Sequence, residues 1–334
     1  MKIKKLSAML LAGAMTTLAL AGCSTSTQNA GNESGSADGT VYEIGLCQLV
    51  QHPALDAATQ GFQDKLVELL GEDSVNFDLQ NASGDSNTCS TIANQFVSSG
   101  KDLIFANATA ALQAAAAATA DIPVVGTSIT DYATALDIDN WTGVTGRNIT
   151  GTADLAPLEE QAAMFKELLP DITNIGLLYC SGESNSKYQI DVVKASLTEL
   201  GYTCTEYSFA DSNDIAAVVT TAVGEMDALY IPTDNTAAAN TEIIANIVNP
   251  ANIPVIAGEE GICQGCGIAT LSISYYDLGQ VTGEMAYEIL VNGADPSTME
   301  IQYAGELTKK YMAERAEALG ITIPDGYEAL AVEE

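Results

Sequence analysis

"DLIFAN" at residues 102–107 and "DIPVVGTS" at 121–128 recur in the same order as "DALYIP" at 227–232 and "NIPVIAGE" at 252–259. Each pair is an apolar run, a helical stretch, and a second apolar run that opens with Ile-Pro. Short apolar runs between helices predict parallel strands covered on both faces. Two copies of one such unit predict two similar α/β lobes in a single chain.

The flanking segments continue the alternation. "YEIGLCQL" (42–49) and "VNFDLQNA" (75–82) read as strands. Between them, Ala54 to Leu70 reads as a helix with apolar residues near helical period at Leu55, Ala58, Phe62, Leu66 and Leu69. After the first copy come a helix over "DLAPLEEQAAMFKELL" (154–169), the strand "NIGLLYC" (174–180), a helix over 183–200 and the strand "YTCTEYSF" (202–209). A strand and a long helix follow in 269–293, and the last segments, 299–321, belong to a type that crosses back between lobes. The expected architecture is two Rossmann-like lobes, each a parallel sheet flanked by helices, joined by a hinge. Residues 41–148 with about 273–296 are expected to form the N-terminal lobe, and 149–272 with about 297–334 the C-terminal lobe.

Residues 1–22 read as an export signal, with Lys2, Lys4 and Lys5 before a short apolar run that is too brief to span a bilayer. Leu20-Ala21-Gly22-Cys23 fits a bacterial lipobox, so Cys23 is the expected lipid anchor. Residues 23–40 lack any aliphatic side chain larger than Ala until Val41 and read as a flexible tether. Without the signal, nine basic residues face 44 acidic ones, a net charge of −35. Such a surface repels nucleic acid and anionic membrane.

Six cysteines remain after Cys23, without the spacing of a small disulfide-stapled domain. Cys180 ends one expected strand and Cys204 begins the next, which in a parallel sheet separates them. Cys263 and Cys266 form a C-x-x-C without a second pair or a nearby His, so a local disulfide or two free thiols is expected rather than a zinc site. No metal and no cofactor is expected.

In parallel α/β sheets, ligands sit beyond the carboxyl ends of the strands. Those ends supply polar loops from both lobes. The first lobe offers Gln48, His52, Leu55 and Asp56, then Thr109, Thr127, Ser128 and Tyr132. The second offers Asn148, Thr150, Gly151 and Thr152, then Glu183, Asn185, Asp234, Asn235, Glu259 and Glu260. His52 is the only histidine, and no nucleophile motif or second His accompanies it, so it is expected to shape its loop with Pro53 rather than to catalyse. "GRNITG" (146–151) has no phosphate-loop Lys and reads as a hinge. Trp141 is expected to pack at the lobe edge.

Five stretches resemble the substrate-binding lipoproteins of ABC transporters with the type I periplasmic-binding-protein fold, in the branch with tryptophan- and tyrosine-binding members. They are "IGLCQLVQHPALDAATQGFQD" (44–64), "NITGTADLAPLEEQ" (148–161), "YIPTDNT" (230–236), "IPVIAGEEG" (253–261) and "SYYDLGQVTGEMAYEIL" (274–290). The resemblance implies a ligand held between the lobes, often an aromatic amino acid, and delivery to a membrane permease. It departs after "TSITD", where "DYATAL" places Tyr132 at a position expected to line the side-chain pocket.

For such a ligand, Asp234, Glu259 and Glu260 are the ammonium candidates, with helix capping as their alternative role. Thr127, Ser128, Thr150, Gly151 and Thr152 are the expected carboxylate donors, ahead of Arg147, which has an interlobe structural role as its alternative. The expected assembly is a monomer anchored outside the cytoplasm and serving an ABC importer. A sensory module feeding a membrane receptor is the first alternative and an extracellular enzyme the second. The export signal and the lack of a helix-turn-helix exclude a transcription repressor.

Lipidation and signal cleavage both need the Cys23 thiol. Cys23→Ala is therefore expected to release the protein from membranes or to leave its signal uncleaved. Fractionation of a fully processed mutant with membranes would contradict the lipobox reading.

Overall fold

A computed structural model describes residues 40–303, 305 and 307–331. The expected signal, Cys23 and nearly all of the tether lie outside these residues. The strands are β1 (Tyr42–Gln48), β2 (Val75–Asn81), β3 (Leu103–Asn107), β4 (Val124–Ile129), β5 (Ile149–Ala153), β6 (Asn174–Cys180) and β7 (Thr203–Phe209). They continue with β8 (Ala228–Ile231), β9 (Val255–Ala257), β10 (Ala269–Ser272), β11 (Gln302–Tyr303), β12 (Thr308–Tyr311) and β13 (Glu328–Ala329). The helices are α1 (Pro53–Leu70), α2 (Ser86–Ser99), α3 (Thr109–Ala118), α4 (Tyr132–Leu136), α5 (Leu158–Leu168) and α6 (Ser184–Glu199). After them come α7 (Ile215–Glu225), α8 (Asn235–Ala238), α9 (Thr241–Ala251), α10 (Glu260–Cys266), α11 (Tyr275–Leu290) and α12 (Ala313–Ala318).

The strands form two sheets, ordered β11-β5-β4-β3-β1-β2 and β13-β12-β10-β9-β8-β6-β7. The repeated sequence unit becomes β3-α3-β4 in the first sheet and β8 to β9 in the second. In both sheets the first strand lies between the second and third, so the topology reverses beside β1 and beside β6, where α/β proteins open a crevice for ligands. The first sheet is parallel throughout. The second departs from expectation at β12, which runs antiparallel to β10. The lysines of "TKKY" suit such a position, because only one neighbour of β12 belongs to the helix-covered parallel core.

Apolar side chains cover each sheet on both faces. In the first lobe one layer gathers Ile92, Phe96 and Leu112, and the other Phe62, Leu66 and Phe105. In the second lobe the layers centre on Val219, Ile244 and Ile262, and on Phe165, Val193 and Leu197. Along α1 the buried stripe runs Leu55, Ala58, Phe62, Leu66 and Leu70; Leu69, expected on this face, is only half-buried. Trp141 packs partly buried against the first layer.

The lobe boundary differs from the expected position at 148/149. β5 pairs with β4, and β11 pairs with β5, so 149–153 and 302–303 belong to the first sheet. "GRNITG" is accordingly not a hinge: its last three residues enter or form β5. The first passage between lobes comes at Asp154–Pro157, in extended backbone before α5. The helix expected from Asp154 starts four residues later because Pro157 disfavours helical geometry in the residue before it. The chain returns between β10 and α11 and passes once more between β11 and β12.

Cys180 and Cys204 lie at opposite ends of neighbouring parallel strands, as expected. Cys263 and Cys266 are buried free thiols within α10.

α11 crosses α1 at very short range. A Cβ on Gly61 would fall 2.1 Å from the Tyr276 carbonyl oxygen, and one on Gly279 would fall 2.0 Å from that of Ala58. Backbone cannot move aside as a side-chain tip can, so these glycines set the helix separation. Gly279→Ala is expected to cost about 1–3 kcal/mol of stability by overpacking. Urea denaturation measures this, and an unchanged midpoint would contradict the close crossing.

Candidate functional site

Strand ends from both lobes converge on one cavity. His52, Leu55, Ser128, Thr130 and Asp154 line it from the first lobe, and Asn185, Thr233, Asp234, Asn235, Ala238 and Glu259 from the second. Tyr275, the first residue of α11, completes the wall. Its volume is about 10 Å³, near the least that admits one water. The lobes touch around it: His52 Nε2 lies 3.3 Å from Asn235 Oδ1, and Gln189 Nε2 donates to Thr130 Oγ1 at 3.4 Å. A ligand of amino-acid size therefore requires the lobes to part. A wider interlobe groove of about 370 Å³ shares Asn235 with the cavity.

Three carboxylates line the cavity, and no Lys or Arg does. Asp234 caps α8, accepting from Ala237 N at 2.8 Å, and also accepts from Cys180 N at 2.6 Å. Glu259 caps α10 through the N–H groups of Gly261 and Ile262. Backbone donors thus engage both oxygens of each. Asp154 differs. One oxygen accepts from the Tyr275 hydroxyl at 2.8 Å, while buried Oδ1 has no partner.

Burial raises all three pKa values, because the charged form loses its hydration. It pushes Asp154 up despite the bond from the Tyr275 hydroxyl. It raises Asp234, with Glu183 adding repulsion, and brings Glu259 to about 7 against the pull of its two backbone bonds. Two further buried polar atoms lack partners here, Ser128 Oγ and His52 Nδ1.

Of the residues expected at the site, His52, Leu55, Ser128, Asn185, Asp234, Asn235 and Glu259 line the cavity. The others have different surroundings. Gln48 donates to Asp56 at 2.7 Å and accepts from Thr59 at 2.7 Å, which braces the loop behind His52. Thr109 is buried at the start of α3. Thr127, Thr152 and Thr282 join hydroxyls at 3.0 and 2.8 Å inside the first lobe, and Thr150 donates to the Met299 carbonyl at 3.2 Å.

Gly151 lies in β5 with φ +145°, where a Cβ would meet the Gly126 carbonyl at 2.0 Å. Tyr132, expected at the side-chain pocket, instead fills the first-lobe core and donates to the Thr152 carbonyl at 3.2 Å. The positions of Thr127, Thr150, Gly151, Thr152 and Tyr132 share one cause: 149–153 is a buried strand, and its polar groups are spent within the first lobe.

Asn148 holds the Ile122 carbonyl at 2.6 Å. Glu183 does not line the inner cavity; it accepts from Asn235 and Thr236. Glu260 pairs with Lys310 at 2.6 Å. Arg147 is exposed, and Arg315 donates to four carbonyls at the end of α10. Sequence reasoning did not select Thr130, Asp154, Thr233, Ala238 or Tyr275. The signal for Asp154 was its place three residues before Pro157, where an extended segment outweighs a helix.

The chain belongs to the ABC transporter substrate binding protein family, whose pattern it matches over residues 43–334. It is 36% identical over 293 residues to a tyrosine-binding protein of Clostridioides difficile, covering 86% of this chain and 85% of that one. A crystal structure of an ABC domain in complex with L-Trp from Streptococcus pneumoniae superposes with a TM-score of 0.83 at 32% identity, covering 87% and 100% of the two chains. A ligand-free, open substrate-binding protein with adhesive properties from Clostridium difficile gives 0.67 at 35% identity, covering 88% and 100%. These relatives are binding proteins, in line with the expectation that this chain is not an enzyme.

The raised carboxyl pKa of Glu259 has a definite sign in stability. The folded state binds its proton more tightly than the unfolded state does. Its contribution is fully present below the ordinary value of 4.5 and is lost as pH rises through about 7. Glu259→Gln is expected to show a shallower loss of stability across that range without ligand. Denaturation at a series of pH values tests this, and parallel curves for both proteins would contradict it.

Proposed function

We propose that this protein is an extracytoplasmic substrate-binding lipoprotein, anchored at Cys23, that captures an aromatic α-amino acid between its lobes and presents it to the permease of an ABC importer. The observation that carries this reading is the interlobe cavity with three buried carboxylates and no Lys or Arg on its lining. Such a site favours a ligand that brings its own positive charge. The ligands of its relatives, tyrosine and L-Trp, carry an ammonium.

Asp154 Oδ1 is the ammonium acceptor, since the oxygens of Asp234 and Glu259 are already engaged. Ser128 Oγ has no internal partner and serves the ligand carboxylate. Binding contacts from both lobes favour the closed state, and the crossings at Pro157 and Ser274, both in extended backbone, permit the opening that entry needs. The protein works as a monomer.

Asp154→Asn keeps an acceptor for Tyr275 and removes the charge. The expected loss in calorimetry is on the order of 2–5 kcal/mol of binding, about 30- to several-thousand-fold in affinity. Unchanged affinity would displace Asp154 from the ligand, and failure of every amino acid to bind the unmutated protein would overturn the assignment.

A further inference from the structure

His52 reaches across the cleft to Asn235, and the bonds around that pair fix which ring nitrogen carries the proton. Asn235 Nδ2 donates to Glu183 Oε2 at 2.7 Å, and its backbone N–H donates to the same oxygen at 3.0 Å. Glu183 Oε1 is held by Thr236 N and Oγ1 at 2.8 and 2.7 Å, so the carboxylate cannot turn away. With its amide nitrogen committed to Glu183, Asn235 presents its carbonyl oxygen to His52. Across the 3.3 Å contact His52 Nε2 must therefore donate. A neutral ring with hydrogen on Nε2 leaves a lone pair on Nδ1, which is buried and without a partner. Burial favours that neutral ring, outweighing the bond to Asn235 and the nearby charges of Glu183 and Asp56.

We propose that Glu183, Asn235 and His52 form a cross-lobe relay that sets His52 Nδ1 as an acceptor at the cavity and selects ligands whose side chain donates a hydrogen bond. This rests on the amino-acid reading and deepens it. The ligand's ammonium has a better partner in the carboxylates, because a charge-assisted bond exceeds one to neutral imidazole. A neutral donor is what remains for Nδ1. The phenol of tyrosine and the indole N–H of tryptophan both qualify, whereas phenylalanine leaves Nδ1 buried and unpaired. The relay spans both lobes, so it is complete only when they close. Selection and closure thus share one set of bonds, with Glu183 and Asn235 as positioning residues and His52 as the ligand contact.

Calorimetry of the full chain with tyrosine, tryptophan and phenylalanine tests this, using the unmutated protein, His52→Gln, His52→Asn and Glu183→Gln. The unmutated protein is expected to bind the better of the two donor-bearing ligands at least about tenfold more tightly than phenylalanine. His52→Gln carries a donor near Nε2 but none of the Nδ1 acceptor; it should lose that ratio while phenylalanine affinity stays within about twofold. His52→Asn places an amide near Nδ1 and should retain part of the ratio. Glu183→Gln, which lets the Asn235 amide turn, should lower it. A ratio unchanged in His52→Gln, a starting ratio near one, or equal weakening of all three ligands would overturn the relay while leaving the amino-acid reading intact. Binding of none of the amino acids by the unmutated protein would overturn that reading first.

Discussion

Asp154, Asp234 and Glu259 share a small buried cavity in which no Lys or Arg answers them. Taking a carboxylate out of water is costly unless hydrogen bonds or an opposite charge replace its hydration. The protein meets that cost unevenly. Backbone N–H groups at two helix starts hold Asp234 and Glu259, whereas Asp154 has one tyrosine hydroxyl and one free oxygen. Raised pKa values show the remaining imbalance. Protonation relieves part of it, and no Lys or Arg on the lining supplies the opposite charge that would relieve the rest.

The fold brings these acids together through its topology. Two sheets with the same reversal point aim their strand ends at one another, and the residues that follow β4, β5, β8 and β9 meet across the gap. Asp154 owes its place to the first passage between lobes: it follows β5 and precedes Pro157, so its side chain enters the cleft from extended backbone. Tyr275 begins α11 just after the return passage and holds Asp154 from the other side. The α1–α11 crossing, set by Gly61 and Gly279, anchors the helix from which Tyr275 projects. Packing deep in the first lobe thus reaches the interlobe cavity through one helix.

Much of this was legible in the sequence. The repeated Ile-Pro units gave away two lobes, and the loops after each strand contained nearly every residue that lines the cavity. His52, Asp234 and Glu259 were singled out from polar loops at strand ends, where the structure places them. Several departures fall in one segment, while Gln48, Thr109 and Glu260 lie off the cavity for local reasons of their own. "NITGTADLAP" alternates small and polar residues, which reads equally as a loop and as a buried strand whose hydroxyls bond internally. Treating it as a hinge put Thr150 and Thr152 in the cleft and hid Asp154 in a helix. The burial of Tyr132 follows from the same strand, because Gly126 and Gly151 leave the space its ring occupies. Pairing across a sheet decides such cases, and pairing is not a property of the local sequence.

The central claim is that positive charge on the ligand, rather than apolar area alone, holds it in this cavity. Calorimetry comparing tyrosine with 3-(4-hydroxyphenyl)propionate, which has the same ring and carboxylate but lacks the amino group, addresses it most directly. Measurable binding of the amino acid with loss of detectable binding for the des-amino compound is the predicted result. Equal affinity for the two would contradict the account.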